Sequence, residues 1–219
     1  MKKTNSKILV FGTGGHTKSV IRIIEAEAKW NIYGLLADFG YQEKDINILG
    51  YKIVGYRNDV SHLQEAKITN AFVAVGDNHL RAEIQMDLIS KGFKTTTIIH
   101  PAAIVMNSSP IGDGTMIHAL AVIGPDCTIG KGVIISAFSA VGHDSIIGDY
   151  SHLTPGVLIG GGATIGEFSF LGLGAIVLPD VKIGKNVQVG ANSVVNKDLD
   201  DNVIVAGNPA RVIKKTIPL

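Results

Sequence analysis

His143 stands between Gly142 and Asp144, and eighteen residues further on comes the run Gly160-Gly161-Gly162. An imidazole titrates near neutrality and can take a proton from an amine or hydroxyl. A neighbouring carboxylate can hold its tautomer, and a glycine backbone N–H can polarise an acyl carbonyl. A base, an orienter and an oxyanion donor are therefore available for acyl transfer, provided the fold brings Gly161 beside His143. A second set lies near the N-terminus: Gly12, Thr13, Gly14, Gly15 and His16, then Asp38, then Gly76-Asp77-Asn78. Free backbone N–H groups at a glycine-rich helix start bind phosphate, and a carboxylate at a strand end can accept from a base or ribose. The third glycine of a dinucleotide fingerprint would fall at Thr17 and is absent. Taken alone, the turn is equally a tight strand–helix connection and Asp38 equally a helix cap.

The elements that must carry these residues follow from two periodicities. From Ile99 to Val195 every sixth residue is Ile, Leu or Val. Period six fits neither a helix nor an alternating strand, and it marks an internal repeat. One position later, glycine recurs at 112, 124, 130, 142, 148, 160, 166, 172, 184 and 190, a column that needs positive φ or close approach at a corner. Four positions after the aliphatic residue come small side chains such as Thr115, Cys127, Ser139, Ser145, Ser151 and Ser169, which can turn inward. A large inward residue, a small inward residue and a glycine corner describe a prism of short parallel strands. Three hexapeptides make one triangular coil of eighteen residues, which stacks Gly161 beside His143 on an outward corner. A corner histidine can equally be simply solvated; its neighbours Asp144 and Gly161 favour the chemical reading. His152 is half a coil from His143, so the two can share a site only across a subunit boundary. Cys127 falls in the inward column and is core.

Residues 1–98 have a different pattern. Lys7–Phe11, Ile32–Leu36, Ala71–Val75 and Phe93–Ile99 read as strands, with helical spacing around Val20–Ala28 and from Asn78, as its cap, to Gly92. The face of the second helix reads as Leu80, Ile84, Leu88 and Ile89. Strand and helix in alternation predict a small parallel sheet whose ligands bind beyond the strand ends.

Composition excludes several classes. With 20 Lys+Arg against 19 Asp+Glu and no basic block longer than a dipeptide, a nucleic-acid platform is not expected. The 26 glycines in 219 residues exceed the roughly 7% of average proteins, yet 46% apolar content argues against disorder. One cysteine leaves no disulfide framework or multi-cysteine zinc module and suits a reducing compartment. The N-terminus is polar and no apolar run is long enough for a span, so a cytoplasmic protein without membrane contact is expected.

The period-six array resembles the hexapeptide-repeat, left-handed parallel β-helix acyltransferases, and left-handedness comes from that resemblance. Gly12–His16, Asp38, Gly76-Asp77-Asn78, Gly142-His143-Asp144 and Gly207-Asn208-Pro209-Ala210-Arg211 together are similar to the bacterial sugar O-/N-acetyltransferases of NeuD/PglD type. The resemblance covers nearly the whole chain. It implies a Rossmann-like nucleotide-sugar-binding domain over 1–98 and a left-handed β-helix domain over 99–219, with acetyl-CoA in the groove between adjacent β-helices of a homotrimer. It further implies that His143 is the general base and that Asp144, where a Glu is common in the family, orients it. Gly161 N–H would contact the thioester carbonyl, His152 would lie near the acetyl group, and the loop with Gly207, Pro209 and Arg211 would contact the CoA nucleotide. Gly12, Gly14, Gly15, His16, Asp38, Gly76, Asp77 and Asn78 would hold the substrate, and no metal is expected. The resulting expectation is direct N-acetylation of a nucleotide-linked amino sugar in surface-glycan biosynthesis, with sugar O-acetylation of sialic-acid type as the alternative. A zinc-dependent anhydrase of the same fold needs three metal histidines, and the repeat offers no pair closer than His143 and His152. A nucleotide-sugar-binding scaffold without enzymatic activity is the remaining class.

Overall fold

A computed structural model describes residues 6–38, 47–60, 62–63, 67–106 and 109–216; the polar Met1–Asn5 stretch lies outside them. The chain divides into two compact units, Met1–Pro101 and Ala102–Leu219.

In the first unit, β1 (Ser6–Phe11), β2 (Trp30–Ala37) and β5 (Asn70–Val73) are parallel, with α1 (Gly15–Glu27) joining β1 to β2. The edge beyond β2 is a hairpin, β3 (Asn47–Ile48) and β4 (Tyr51–Tyr56), which the apolar pattern does not announce. The other edge is β6 (Lys94–Thr95). The apolar stretch expected as one strand to Ile99 is broken, with β7 (Ile98–Ile99) separate. Ile8 to Phe11 are all buried, as in a sheet covered on both faces. Leu9, Phe11, Leu36, Val73, Ile84 and Leu88 share one apolar cluster beneath α2 (Asn78–Ser90).

α2 corrects two readings. Its cap is Asp77, whose carboxylate accepts from Leu80 N at 2.9 Å, and not Asn78. Its inner face is Asn78, Arg81, Ala82, Ile84, Gln85 and Leu88, whereas Leu80 and Ile89 are 40% and 49% exposed. Arg81 is fully buried and donates to the carbonyls of Val75, Gly76 and Asp77 and to Asn78 Oδ1. A guanidinium in place of an aliphatic side chain thus ties down the loop after β5, because its fan of donors satisfies several carbonyls at once.

The second unit is a parallel β-helix. Its first face stacks β8 (Ile104–Val105), β10 (Val122–Ile123), β13 (Ala140–Val141), β16 (Leu158–Ile159), β19 (Ile176–Val177) and β22 (Val194–Val195). The second carries β11 (Thr128–Ile129), β14 (Ile146–Ile147), β17 (Thr164–Ile165) and β20 (Lys182–Ile183). The third carries β9 (Met116–Ile117), β12 (Ile134–Ile135), β15 (His152–Leu153), β18 (Phe170–Leu171) and β21 (Gln188–Val189). Pairs such as Val141 with Ile159, Ile147 with Ile165 and Leu153 with Leu171 fix the coil at eighteen residues. The repeated aliphatic residues from Ile117 to Val195 line the interior, none more than 4% exposed.

The glycine column and the positive φ angles separate into two columns. A Cβ on Gly142 would lie 2.5 Å from Gly161 N, and one on Gly148 would lie 2.5 Å from Glu167 N, so this column is glycine because the next coil leaves no room. Positive φ falls two positions later, at every sixth residue from 114 to 192. Gly, Asn and Asp, which tolerate that region, dominate there, but Leu120, Phe138, Tyr150 and Phe168 occupy it as well. Tyr150 and Phe168, one coil apart, stack with ring centroids at 5.5 Å, a contact that offsets part of the backbone cost.

Substitution at the two columns should separate close approach from backbone conformation. Gly148→Ala should lower stability by about 1–3 kcal/mol through overpacking against the next coil. Gly156→Asn, at φ 76° with its nearest Cβ neighbour 3.7 Å away, should stay within about 0.5 kcal/mol of the parent. Denaturant titration of the two variants checks this, and equal losses would contradict it.

Candidate active site

The His143 corner closes the first face of the helix and opens the second, between β13 and β14. The ring lies over Gly161: a Cβ there would fall 2.5 Å from Nε2 and 2.6 Å from Cε1. On the other nitrogen, Asp144 Oδ2 is 2.7 Å from Nδ1. Asp144 reaches back because its own backbone is left-handed, at φ 59°. A carboxylate oxygen at Nδ1 favours the tautomer with N–H on that nitrogen, which leaves Nε2, on the Gly161 side of the ring, as the acceptor. Backbone bonds pin both strands of this corner, with Gly162 N donating to His143 O at 2.8 Å and Asp144 N to Pro125 O at 3.1 Å.

His152 opens β15 on the third face, separated from His143 by the whole of β14, so one protomer does not bring the two histidines together. Its ring meets Phe170 edge-on at 5.3 Å, and its Nε2 is 3.5 Å from Ser136 Oγ. Cys127 is fully buried, with Sγ 3.0 Å from Gly142 O, and burial pushes its thiol above the ordinary range. It is a core residue beneath the His143 corner.

In the first unit, an open cleft of about 320 Å³ is lined by Gly12, Gly14, Gly15, His16, Asp38, Gly76 and Leu80 among others. Gly12 has a local reason to be glycine, since its φ is 131° and a Cβ would press on Ala74 O at 2.9 Å. Gly14, Gly15 and Gly76 have none: a Cβ on any of them would meet nothing within 4 Å. Gly14 caps α1 without a side-chain bond and no acidic residue follows in the first turn, so that helix end offers open N–H groups and its positive dipole end. Asp38 stands 3.4 Å from Arg57 Nε. Arg57 also pairs with Glu83 at 2.9 Å, and the sequence pattern did not single it out. Asp77 and Asn78 serve α2 and Arg81 and do not line the cleft.

At the far end of the helix, β23 (Val203–Gly207) and β24 (Ala210–Lys215) form an antiparallel hairpin. Its turn holds Gly207 at φ 106° and a cis Asn208–Pro209 peptide. Gly207 N donates to Ser193 Oγ at 3.0 Å. Arg211 and Lys197 border a cleft of about 270 Å³ beside this hairpin. Among the described residues, no group of three or more His, Cys, Asp or Glu could hold a metal ion. Nor is any described helix long and apolar enough to cross a membrane.

A β-helix with a carboxylate-held imidazole at a corner defines a hexapeptide-repeat transferase. Residues 7–88 match the PglD N-terminal domain, and residues 111–143 and 162–197 match the bacterial transferase hexapeptide (six repeats). The chain belongs to the family of PglD-type bacterial sugar acetyltransferases, a left-handed β-helix family. Among solved structures, perosamine N-acetyltransferase from Caulobacter crescentus is 34% identical, with a TM-score of 0.91 over 96% of this chain and 98% of its own. That structure is of a histidine-to-asparagine mutant in complex with CoA and GDP-perosamine. The acetyltransferase domain of PglB from Neisseria gonorrhoeae is 31% identical, with a TM-score of 0.87 over 95% of this chain and all of its own. WeeI from Acinetobacter baumannii, at 20% identity, shares the fold with a TM-score of 0.73. A comparison with curated proteins finds no match.

The buried Cys127 gives a direct check of the corner's packing. A disulfide-exchange reagent should label the native chain at less than about a hundredth of the rate of the unfolded chain. Stoichiometric labelling of the native protein would show the thiol to be accessible.

Proposed function

We propose that this chain transfers acetyl from acetyl-CoA to the amine of a nucleotide-linked amino sugar, in bacterial surface-glycan assembly. The observation that carries the reading is the His143 ring lying over Gly161, with Asp144 2.7 Å from its other nitrogen. The acceptor amine attacks the thioester carbonyl, Nε2 takes its proton, and the carbonyl oxygen bears negative charge beside Gly161 N–H. The C–N bond forms, the C–S bond breaks, and the proton passes to the departing CoA thiolate. No covalent intermediate is required, in keeping with the burial of the only cysteine. The CoA and GDP-perosamine in the Caulobacter relative and the acetyl coenzyme A in the Neisseria domain support both substrates. Gly14, Gly15 and Gly76, whose missing side chains leave open space around the start of α1, support the first-unit cleft as the seat of the nucleotide, with Asp38 at its rim. Arg211, in the hairpin after Gly207 and Pro209, is suited to CoA phosphate. The substrates are products of cytoplasmic metabolism, which supports action there.

We further propose a homotrimer. The outward row of the first face is Ile104, Val122, Ala140, Leu158, Ile176 and Val194, apolar on every coil, with Ile104 and Leu158 exposed in the single chain. This row runs beside the corner column that carries His143, so covering it with a neighbouring helix would form a groove along that corner and admit His152 of another protomer to the acetyl end. Continuous apolar strips of this kind mark association surfaces.

The assay is CoA thiol release with a panel of nucleotide-linked amino sugars, with product mass reporting one added acetyl group held in a hydroxylamine-stable amide. His143→Ala should lower kcat by roughly a hundredfold or more with the oligomer intact by light scattering. A near-normal rate would reject the histidine as base, and no turnover by the parent with any amino sugar would reject the function. Asp38→Ala should raise KM for the nucleotide sugar by about tenfold, the loss of one hydrogen bond to a charged group, and leave KM for acetyl-CoA unchanged. A rise in KM for acetyl-CoA alone would move the nucleotide sugar elsewhere.

A further inference from the structure

We infer that Ser145 is a positioning residue that aims the Gly161 N–H, an inference that rests on the acetyl-transfer reading above. Ser145 is fully buried inside the coil, and its hydroxyl donates to Gly160 O at 3.0 Å. In a trans peptide the C=O and the following N–H point in opposite directions. Holding Gly160 O inward therefore turns Gly161 N–H outward, beside the His143 ring.

The other groups of this turn are spoken for. Gly160 N donates to Val177 O, Gly162 N to His143 O, and Gly161 O accepts from Asp180 N. Of the three N–H groups of this turn, that of Gly161 is the one with no acceptor among the described residues, and at this partly exposed corner it is open to a ligand. At two other positions of the same column the N–H is covered by an aspartate from the next coil. Asp149 Oδ1 accepts from Lys131 N at 2.9 Å, and Asp201 Oδ1 from Lys185 N at 2.7 Å. One coil above Gly161 the residue is Pro179, which brings no acceptor side chain.

The inward hydroxyls at 115, 145, 151 and 169 all bond a corner glycine carbonyl fifteen residues on, so the bond itself is structural and repeated. What sets Ser145 apart is the peptide it holds. Rigid presentation of a donor matters in the transition state, where the oxyanion forms, and little in the ground state.

The experiment compares Ser145→Ala with Ser169→Ala, which loses the equivalent bond to Gly184 O far from the corner. Ser145→Ala should lower kcat by about tenfold, part of the roughly 10²–10³ lost with an oxyanion donor outright, with KM for acetyl-CoA unchanged. Ser169→Ala should keep the parent kcat. Ser145→Cys, which copies the contact that Cys127 makes with Gly142 O from the same column, should fold readily and give an intermediate kcat. Equal kcat for the Ser145 and Ser169 alanine variants, or a Ser145→Cys kcat equal to the parent's should the alanine variant fail to fold, would overturn the positioning role. Either result leaves acetyl transfer itself standing, which the parent enzyme's turnover tests separately.

Discussion

The stacking distance between successive coils is the constraint on which the site depends. Parallel strands pair at one spacing, and the coil returns after eighteen residues, so any two residues eighteen apart are locked neighbours. At the corners the chain comes closer still, with no room for a Cβ on Gly142 between its own coil and Gly161 N. The imidazole of His143 uses this closeness: it rests over Gly161 because residue 161 has no side chain to displace it. A Cβ at 161 would occupy the position of the ring, so the glycine serves the site and the stack together.

The same geometry explains why the chemistry sits at a corner. Along the faces the backbone N–H and C=O groups bond from coil to coil, for example Ala140 N to Val157 O and Ile146 N to Ala163 O. Only where the chain turns does a peptide escape the ladder. The inward Ser and Thr hydroxyls then donate to the corner carbonyls, at Gly160 alongside a long backbone bond from Ala163 N at 3.4 Å. The compensation for one buried acceptor thereby aims one outward donor, and a fold-stabilising bond acquires a consequence for the site.

The repeat made the β-helix, its interior and the pairing of His143 with Gly161 legible, because period six is enforced by volume at every coil. Conformation was less legible than volume. The positive-φ column mixes Gly, Asn and Asp with Phe138, Tyr150 and Phe168, and residue type does not announce it. The direction of the Gly160–Gly161 peptide is likewise invisible in sequence, since a serine in a small-residue column reads as packing alone. In the first unit, helical spacing found Ile84 and Leu88 on the inner face of α2 but not Arg81, whose guanidinium is buried because it meets carbonyls inside. Asp77 and Asn78 were legible as chemistry and proved to be a helix cap and a partner of Arg81.

Glycines in the two units carry different information, and the difference locates ligands. In the β-helix, Gly142 and Gly148 are explained by the neighbouring coil, so nothing beyond the fold need be invoked for them. In the first unit, Gly14, Gly15 and Gly76 line one cleft with open space where a Cβ would stand and, for each, no positive φ. Gly14 is the N-cap of α1, where glycine is acceptable, whereas neither packing nor a positive φ requires glycine at Gly15 or Gly76. A missing side chain where the fold does not require one, beside empty space, leaves room for close approach by something outside the chain. The open N–H groups at the start of α1 suit that space to a negative charge, such as the nucleotide phosphate proposed above.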